Sequence, residues 1–345
     1  MAAITEQMWS DYRCDGFMRL GTVLDSVEAA QLAERADDHA LGRVQIPGVQ
    51  MQHDPGDTTA AIAPASDVPL GTVRYRRIHG LEADEPFRQL VRRPLFLEIA
   101  AQHYGAHAPV SLFRAMVFNK PAACGSTLPW HQDGGAVWAL DRDPLVTIWI
   151  ALDDATVENG CVEVVRGSHR LGVLGTIGGN VSDEDAARHC TPDRVVPLEL
   201  QSGHAVLMHN WLIHRSGSNP SSKRRRAFSA CYMDGRTMST LTGDRFPIVA
   251  GTPPEVLPFV RQQREHVKAL EERVTAAEVY AASLAEHQEV LRASHADAEA
   301  QALSLQRELE RVQSLRTLAE EYAASLEAER ATAIERISAT ARFGD

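Results

Sequence analysis

Hydrophobic positions follow two different patterns along the 345-residue chain, and the change falls near residue 255. Before it, short apolar runs are separated by turns rich in Gly, Pro and polar residues. After the Pro-rich join at 251–258, neither Gly nor Pro appears until Gly344, and Ala, Glu, Leu, Arg and Gln dominate. We therefore expect two domains, a globular one at residues 1–255 and a long helix at residues 256–345.

The apolar runs of the first domain are short and bounded by turn residues, which predicts strands. The predicted strands are Val110–Phe118, Leu145–Leu152, Cys161–Val165, Gly203–His209 and Arg225–Tyr232. Helical signals cover residues 28–35, with Asp25 or Ser26 as the expected cap, and residues 87–104. Many short strands without helices between them favour an antiparallel sandwich or jelly roll with helices packed outside.

The second domain has the periodicity of a coiled coil. Every seventh residue from Leu270 is apolar in ten of eleven positions, and the companion series from Val267 in seven of eleven. A helix of about 80 residues would be roughly 120 Å long at ~1.5 Å per residue, too long to be buried on its own domain. We expect it to pair with a second copy, giving a homodimer, or with a partner protein. A solvated single helix and an antiparallel pairing are the alternatives.

Composition excludes several classes of protein. A formal net charge of -11 argues against nucleic-acid or anionic-membrane partners, because no broad positive field is available. The five cysteines are scattered without CxxC spacing, which argues against a disulfide scaffold or a zinc knuckle and favours a reducing compartment. With no apolar run of membrane-spanning length and no signal-peptide core, we expect a cytoplasmic protein.

Three residues suggest a metal site. His131 and Asp133 lie two positions apart, so extended backbone would project both side chains to the same side. His214 follows His131 by 83 residues and would come from another strand. Two imidazoles and one carboxylate form the facial triad that suits non-haem Fe(II), since three coordination positions stay open for a 2-oxo acid and O2. Arg225, 11 residues after His214, would offer a planar cation to the co-substrate carboxylate.

Alternation along the strand favours Arg225 over its arginine neighbours. Arg225 shares a face with small residues, Ala227 and Ser229, which suits a cavity that must hold a ligand. Arg226 shares the other face with Phe228, which suits packing against an outer layer.

Four segments together resemble the phytanoyl-CoA dioxygenase family of Fe(II)/2-oxoglutarate oxygenases, over roughly residues 10 to 245. They are YRCDGFMRLGTVL at 12–24, WHQDGG at 130–135, TIWIALDDATVENGCVEVVRGSH at 147–169 and HNWLIHRSGSNPSSKRRRAFS at 209–229. The resemblance implies a double-stranded β-helix core, a jelly roll of the cupin-like kind, with Fe(II) at its mouth. Its cofactor and co-substrates would be Fe(II), 2-oxoglutarate and O2.

The resemblance also assigns residues. The iron ligands fall on His131, Asp133 and His214, and the RSGSN phrase after His214 selects it over His209. The 2-oxoglutarate anchor falls on Arg225, assisted by Ser216. Other positions match the co-substrate pocket: Lys120, Thr127 and Trp149. The loops at 45–70 and 170–192 are expected to shape the substrate pocket.

These features predict a 2-oxoglutarate-dependent dioxygenase that hydroxylates a C–H bond of a small metabolite or biosynthetic intermediate and releases succinate and CO2. The presence of Asp133 favours hydroxylation, because related halogenases lack this carboxylate. One alternative is a coiled-coil scaffold whose jelly-roll domain binds a metal or ligand without turnover. Another is a zinc hydrolase that uses the same three ligands. The substrate is not identified by the sequence.

Overall fold

The computed structural model describes residues 4–54, 71–175, 179–251 and 257–341. It divides into two compact units, Met1–Pro258 and Phe259–Asp345, and each is described by itself. The described strands of the first unit are β1 (Phe17–Thr22), β2 (Gln50–His53), β3 (Tyr75–His79), β4 (Val110–Lys120), β5 (Leu128–Gln132), β6 (Val146–Ala151), β7 (Val162–Val165), β8 (Gly179–Asn180), β9 (Val195–Leu198), β10 (His204–His209), β11 (His214–Ser216), β12 (Arg225–Asp234) and β13 (Ile248–Ala250). Its described α-helices are α1 (Glu6–Asp15), α2 (Ser26–Ala40), α3 (Glu85–Val91), α4 (Pro94–Tyr104) and α5 (Asp183–His189).

The described strands form two antiparallel sheets. The larger has the order β1-β10-β6-β12-β4-β3-β2, with β13 paired to β4, and the smaller has the order β8-β5-β11-β7-β9. Apolar side chains from both sheets pack in one cluster, which includes Trp149 and Val206 from the larger sheet and Val164 and Leu198 from the smaller. The first unit is therefore the predicted jelly roll, and each of the five predicted strands is present within two residues of its expected ends.

The other face of the larger sheet packs against helices. Phe228 and Tyr232 on β12 are fully buried there, and Phe228 stacks on Phe87 of α3 with ring centroids 5.4 Å apart. Arg225 and Ala227 alternate with these residues and face the smaller sheet instead. The two faces of β12 thus have the roles that the alternation predicted, with bulky packing outside and small residues toward the space between the sheets.

Local sequence explains how the helices begin. The Asp25 carboxylate accepts hydrogen bonds from the backbone N–H groups of Val27 and Glu28 at 2.9 and 2.8 Å, so Asp25, not Ser26, caps α2. The single helix expected over 87–104 is interrupted, because Pro94 begins α4 and the preceding Arg93 is extended, with φ -58° and ψ 137°.

The described part of the second unit lies within one continuous helix, α6 (Leu257–Ala341), as the composition predicted. Leucines of the predicted seam are exposed along it, including Leu284 at 52% and Leu305 at 66%. No helix in the described part of the chain is at once long and apolar enough to cross a membrane.

Candidate metal centre and co-substrate cavity

Two neighbouring strands of the smaller sheet bring the distant histidines together. His131 on β5 and His214 on β11 are register partners, and their ring centroids are 4.0 Å apart. Asp133 follows directly after β5. One potential ligand atom from each of the three residues can be chosen so that all lie within 4.8 Å of one another, which is close enough to share one metal ion.

Backbone hydrogen bonds set the tautomer of both rings. His131 Nδ1 donates to the Pro129 carbonyl at 2.9 Å, and His214 Nδ1 donates to the Leu212 carbonyl at 2.8 Å. A carbonyl can only accept, so each Nδ1 carries the proton and each Nε2 keeps its lone pair for a metal. Burial, helped by the adjacent His214, lowers the pKa of His131 to about 3, which keeps the ring neutral at physiological pH.

Asp133 is held by its backbone and by the charges around it. Its N–H donates to the Asn210 carbonyl at 2.9 Å. Asn210 is itself buried and accepts a 2.8 Å hydrogen bond from the Thr147 hydroxyl. Burial acts to raise the pKa of the Asp133 carboxyl, but Arg114 and the two histidines outweigh it, so the pKa lies below its ordinary value. The carboxylate is therefore ionised and available as a ligand.

Gln132, between His131 and Asp133 in the sequence, points away from the metal site and connects three segments of the chain. Its amide Nε2 donates to the carbonyls of Gly172 and Trp211 at 2.8 and 2.6 Å, and its Oε1 accepts from Leu174 N at 2.7 Å. Trp211 lies in the turn that leads into His214. Gln132 therefore fixes β5 relative to the segment that delivers the second histidine, a role that the motif alone did not reveal.

A cavity of about 310 Å³ opens beside the three ligands, and several predicted pocket residues line it: Lys120, Trp149, Ser216 and Arg225. Arg225 is 2% exposed, and its Nη2 donates to the Gly160 carbonyl at 2.6 Å. Its buried Nε has no hydrogen-bond partner among the described residues. Burial lowers the pKa of Arg225 to about 10, so it remains a cation with an unsatisfied donor, as an anion anchor requires.

Lys120 lies opposite Arg225 in the strand register and is also buried. Its Nζ donates to the carbonyls of Ser126 and Gly217, both at 2.5 Å. Burial, followed by the charge of Arg225, lowers the pKa of Lys120 to about 7. This end of the cavity therefore holds a permanent cation beside one that titrates near neutrality.

Two expectations about the pocket are not supported. Thr127 is exposed and does not line the cavity, whereas its neighbours Ser126 and Leu128 do, because successive side chains in extended backbone point to opposite sides. No described residue of 170–192 lines the cavity either; Gly172 and Leu174 bind Gln132 behind it. Of residues 45–70, Asp54 lines the cavity, and residues 55–70 lie outside the described part of the chain.

The competing residues have other contacts. His209 packs against His169 with ring centroids 5.1 Å apart, and its Nδ1 accepts a 3.1 Å hydrogen bond from Trp211 N. Arg226 forms ion pairs with Asp37 and Asp153 at 2.9 and 2.7 Å. Neither His209 nor Arg226 lines the cavity.

Sequence reasoning missed three cavity arginines: Arg76, Arg77 and Arg114. Arg76 lies at a β-bulge, since Gln52 pairs with Arg77 while the next residue of β2, His53, pairs with Tyr75. The bulge lets two consecutive side chains face the same cavity. No local sequence signal marks this bulge, because it depends on how β2 and β3 pair.

The model of the phytanoyl-CoA dioxygenase (PhyH) family matches residues 12–227. This chain belongs to the phytanoyl-CoA dioxygenase family. The L-proline trans-4-hydroxylase of Streptomyces griseoviridis is 29% identical over 238 residues, which cover 62% of this chain and 81% of that protein. The phytanoyl-CoA dioxygenase of Arabidopsis thaliana is 31% identical over 152 residues, which cover 43% of this chain and 52% of that protein. The chain thus spans about half the length of the plant relative.

Among solved structures, the non-haem monooxygenase ThoJ is similar, with a TM-score of 0.53 and 26% identity over 70% of this chain and 83% of that one. These matches confirm the predicted family and the jelly-roll fold. They also confirm the predicted enzyme class, a 2-oxoglutarate-dependent non-haem iron oxygenase.

Proposed function

We propose that this protein is an Fe(II)- and 2-oxoglutarate-dependent hydroxylase of a small metabolite or biosynthetic intermediate. The observation that carries the proposal is that a set of metal ligands and an anion-binding arginine line the same cavity. At one place, His131, Asp133 and His214 offer the donor set of a facial triad. Lining the same cavity, Arg225 carries an unsatisfied buried cationic donor.

The residues fit the groups that they would hold. His131, Asp133 and His214 would bind Fe(II), since both imidazoles are fixed with Nε2 free and the carboxylate is ionised. Arg225 and Ser216 would hold the distal carboxylate of 2-oxoglutarate, with Lys120 beside them. The Trp149 ring, whose centroid is 5.6 Å from the Arg225 guanidinium carbon, would border the co-substrate.

The overall reaction balances with one O2. One oxygen atom enters the C–H bond of the substrate as a hydroxyl group, and the other enters succinate as 2-oxoglutarate loses CO2. Bound Fe(II) supplies the activation of O2. The protein orients one C–H bond toward the metal and keeps water away from it, so specificity depends on the cavity walls.

The relative named L-proline trans-4-hydroxylase supports a small-molecule substrate and hydroxylation as the outcome. The family name does not by itself support an acyl-CoA substrate, because no CoA-specific feature lines the described cavity.

The test is a metabolite screen for succinate release that requires both substrate and O2, with mass spectrometry for the gain of one oxygen atom in the product. We expect His131→Ala to abolish turnover and His107→Ala, an exposed histidine, to leave it unchanged. Turnover with Zn(II) that needs no O2 would instead identify a hydrolase. Metal and 2-oxoglutarate binding without any product would identify a non-catalytic binding domain.

We further propose that residues 1–255 carry the activity and that residues 256–345 associate with a second copy through the heptad seam; a cytoplasmic location remains our prediction. Leu284→Glu with Leu305→Glu places charge in the seam and should convert a dimer to a monomer in analytical ultracentrifugation. Val279→Glu with Leu303→Glu is the matched control, because these exposed residues lie off the seam. A dimer that survives the seam variant would contradict the proposal.

A further inference from the structure

The cavity carries more positive charge than the co-substrate requires. Its described lining contains five basic and two acidic side chains: Arg76, Arg77, Arg114, Lys120 and Arg225, with Asp54 and Asp133. A divalent Fe(II) and a dianionic 2-oxoglutarate cancel each other, so loading the site leaves the excess of positive charge in place. Charge buried in a cavity is costly unless it is paired, which points to a further anion.

Three of these basic residues already have an anionic group beside them in the loaded site. Lys120 and Arg225 lie together at the proposed site of the 2-oxoglutarate carboxylate. Burial lowers the pKa of Arg76, and the charge of the nearby Asp54 carboxylate acts to raise it. The negative charge of Asp54 therefore offsets the positive charge of Arg76. Arg77 and Arg114 remain, and the acidic side chain left to them among the described lining residues is Asp133.

Arg77 has no acidic partner within ion-pair distance in the described part of the chain. Its half-buried side chain includes an Nε that is fully buried without a hydrogen-bond partner among the described residues. Burial, followed by the charges of Arg76 and Arg114, lowers the pKa of Arg77 to about 10. It is thus a cation at any physiological pH, and the surrounding cations make its position unfavourable until an anion arrives.

Arg114 is held by aromatic rings rather than by a strong ion pair. Its guanidinium carbon lies 4.2 Å from the centroid of the Trp138 ring and 5.4 Å from that of Phe113. Its contact with Asp133 is a single long one, at 3.4 Å from Nη2 to Oδ1. Since Asp133 would bind Fe(II), this carboxylate cannot fully neutralise Arg114, and the planar donor fork stays available to a ligand.

We propose that Arg77 and Arg114 form an anion-binding subsite beside the metal centre, and that it recognises the acidic group of the substrate, which is a small organic acid. The inference rests on the proposed function and adds the substrate class. Two guanidinium groups match the planar or tetrahedral oxygens of a carboxylate or phosphate. Anchoring the acid there would hold a neighbouring C–H bond near the metal, in a cavity of about 310 Å³, at the small end of ligand cavities.

Inorganic sulfate serves as the probe for the subsite. Sulfate is titrated calorimetrically, at constant ionic strength, into full-length protein saturated with Zn(II) and 2-oxoglutarate, so that the Arg225 anchor is occupied. We expect saturable binding to the wild type, weakened at least tenfold in Arg77→Gln and in Arg114→Gln. Arg92→Gln, which changes an exposed arginine, should bind sulfate within twofold of the wild type.

A second titration separates this subsite from the co-substrate site. The Kd of 2-oxoglutarate should stay within twofold in Arg77→Gln and rise at least tenfold in Arg225→Gln. If either Gln variant fails to fold, Arg77→Lys and Arg114→Lys keep the charge without the planar fork. We expect these Lys variants to weaken sulfate binding about threefold.

Wild-type sulfate affinity in both the Arg77 and Arg114 variants, or no saturable binding by the wild type, would overturn the subsite and leave the hydroxylase proposal standing. Failure of the wild type to bind 2-oxoglutarate would overturn the proposed function and the substrate class with it. In the succinate-release screen, acids should be turned over and their neutral amides should not. A preference for the amides would also overturn the inference.

Discussion

Lys120 on β4 and Arg225 on β12 are register partners, and both side chains line the same end of the cavity. The two N–H groups of a neutral lysine would both be used by the carbonyls of Ser126 and Gly217. Protonation adds a third N–H, which is free to reach a carboxylate. The register thus couples the protonation of Lys120 to binding of an anion at Arg225.

This coupling predicts how 2-oxoglutarate binding depends on pH. Without a bound co-substrate, burial lowers the pKa of Lys120 to about 7, and a bound carboxylate would favour the protonated form. The Kd measured by calorimetry should therefore be lowest below pH 7 and rise by up to about tenfold per pH unit above it. Lys120→Met should bind weakly with a flat profile between pH 7 and 9. An unchanged slope in this variant would show that another group is responsible.

Arg225→Met and Arg226→Met should separate binding from stability. Removing Arg225 should raise the Kd of 2-oxoglutarate at least tenfold and cost little stability. The Gly160 carbonyl loses one hydrogen bond, but a buried cation that has no ion pair among the described residues is removed with it. Removing Arg226 should leave the Kd within threefold but lower the free energy of unfolding by about 1–3 kcal/mol, since Asp153 loses its ion pair and Asp37 keeps only the one with Arg224. Calorimetry and urea denaturation measure the two effects, and the reverse assignment would contradict the proposed anchor.

Gln132→Ala should weaken the metal site without removing a ligand. It breaks three hydrogen bonds of a buried side chain, so we expect a loss of about 1–3 kcal/mol in unfolding free energy and ~10–100-fold in metal affinity. Gln89→Ala, on an exposed helix face, should change stability by less than about 0.5 kcal/mol. Unaltered metal affinity in Gln132→Ala would show that the histidines keep their positions without it.

Metal binding should stabilise the fold through the three ligands. At a free Zn(II) concentration about 100 times its Kd, the free energy of unfolding should rise by about 2.7 kcal/mol. Asp133→Ala should abolish most of that gain at the same concentration, while Asp193→Ala, which changes an exposed aspartate, should retain it. Differential scanning calorimetry with and without a chelator is the measurement. An equal gain in Asp133→Ala would place the metal elsewhere.

The parts of the fold that were predictable are those with a local cause. Apolar runs indicated β4, β6, β7, β10 and β12, and alternation along β12 separated Arg225 from Arg226. The break between α3 and α4 also has a local signal in Pro94. The spacing of apolar residues continues across this proline, so the spacing alone predicted a single helix. The short strands β2, β3 and β8 have no such signal, because their partners determine them.

The same distinction applies to the site. The spacing of His131 and Asp133 is local, whereas the choice of His214 over His209 as the third ligand was supplied by the family resemblance. The sequence did not predict the roles of three residues, because contacts that exist only in the folded chain position them. A β-bulge positions Arg77, aromatic rings position Arg114, and backbone hydrogen bonds position Gln132. The exposure of Thr127 shows the limit of transferring a pocket residue by position alone.

The two histidines differ in how the small sheet supports them. β11 lies between β5 and β7, so His214 has a register partner on either side, in His131 and Val164. On its outer flank, His131 is paired with Asn180 of the two-residue β8. A change of sequence in β8 can therefore shift the His131 ring while the His214 ring stays in place. Such a change would alter the reactivity of the metal site in a relative that keeps all three ligands.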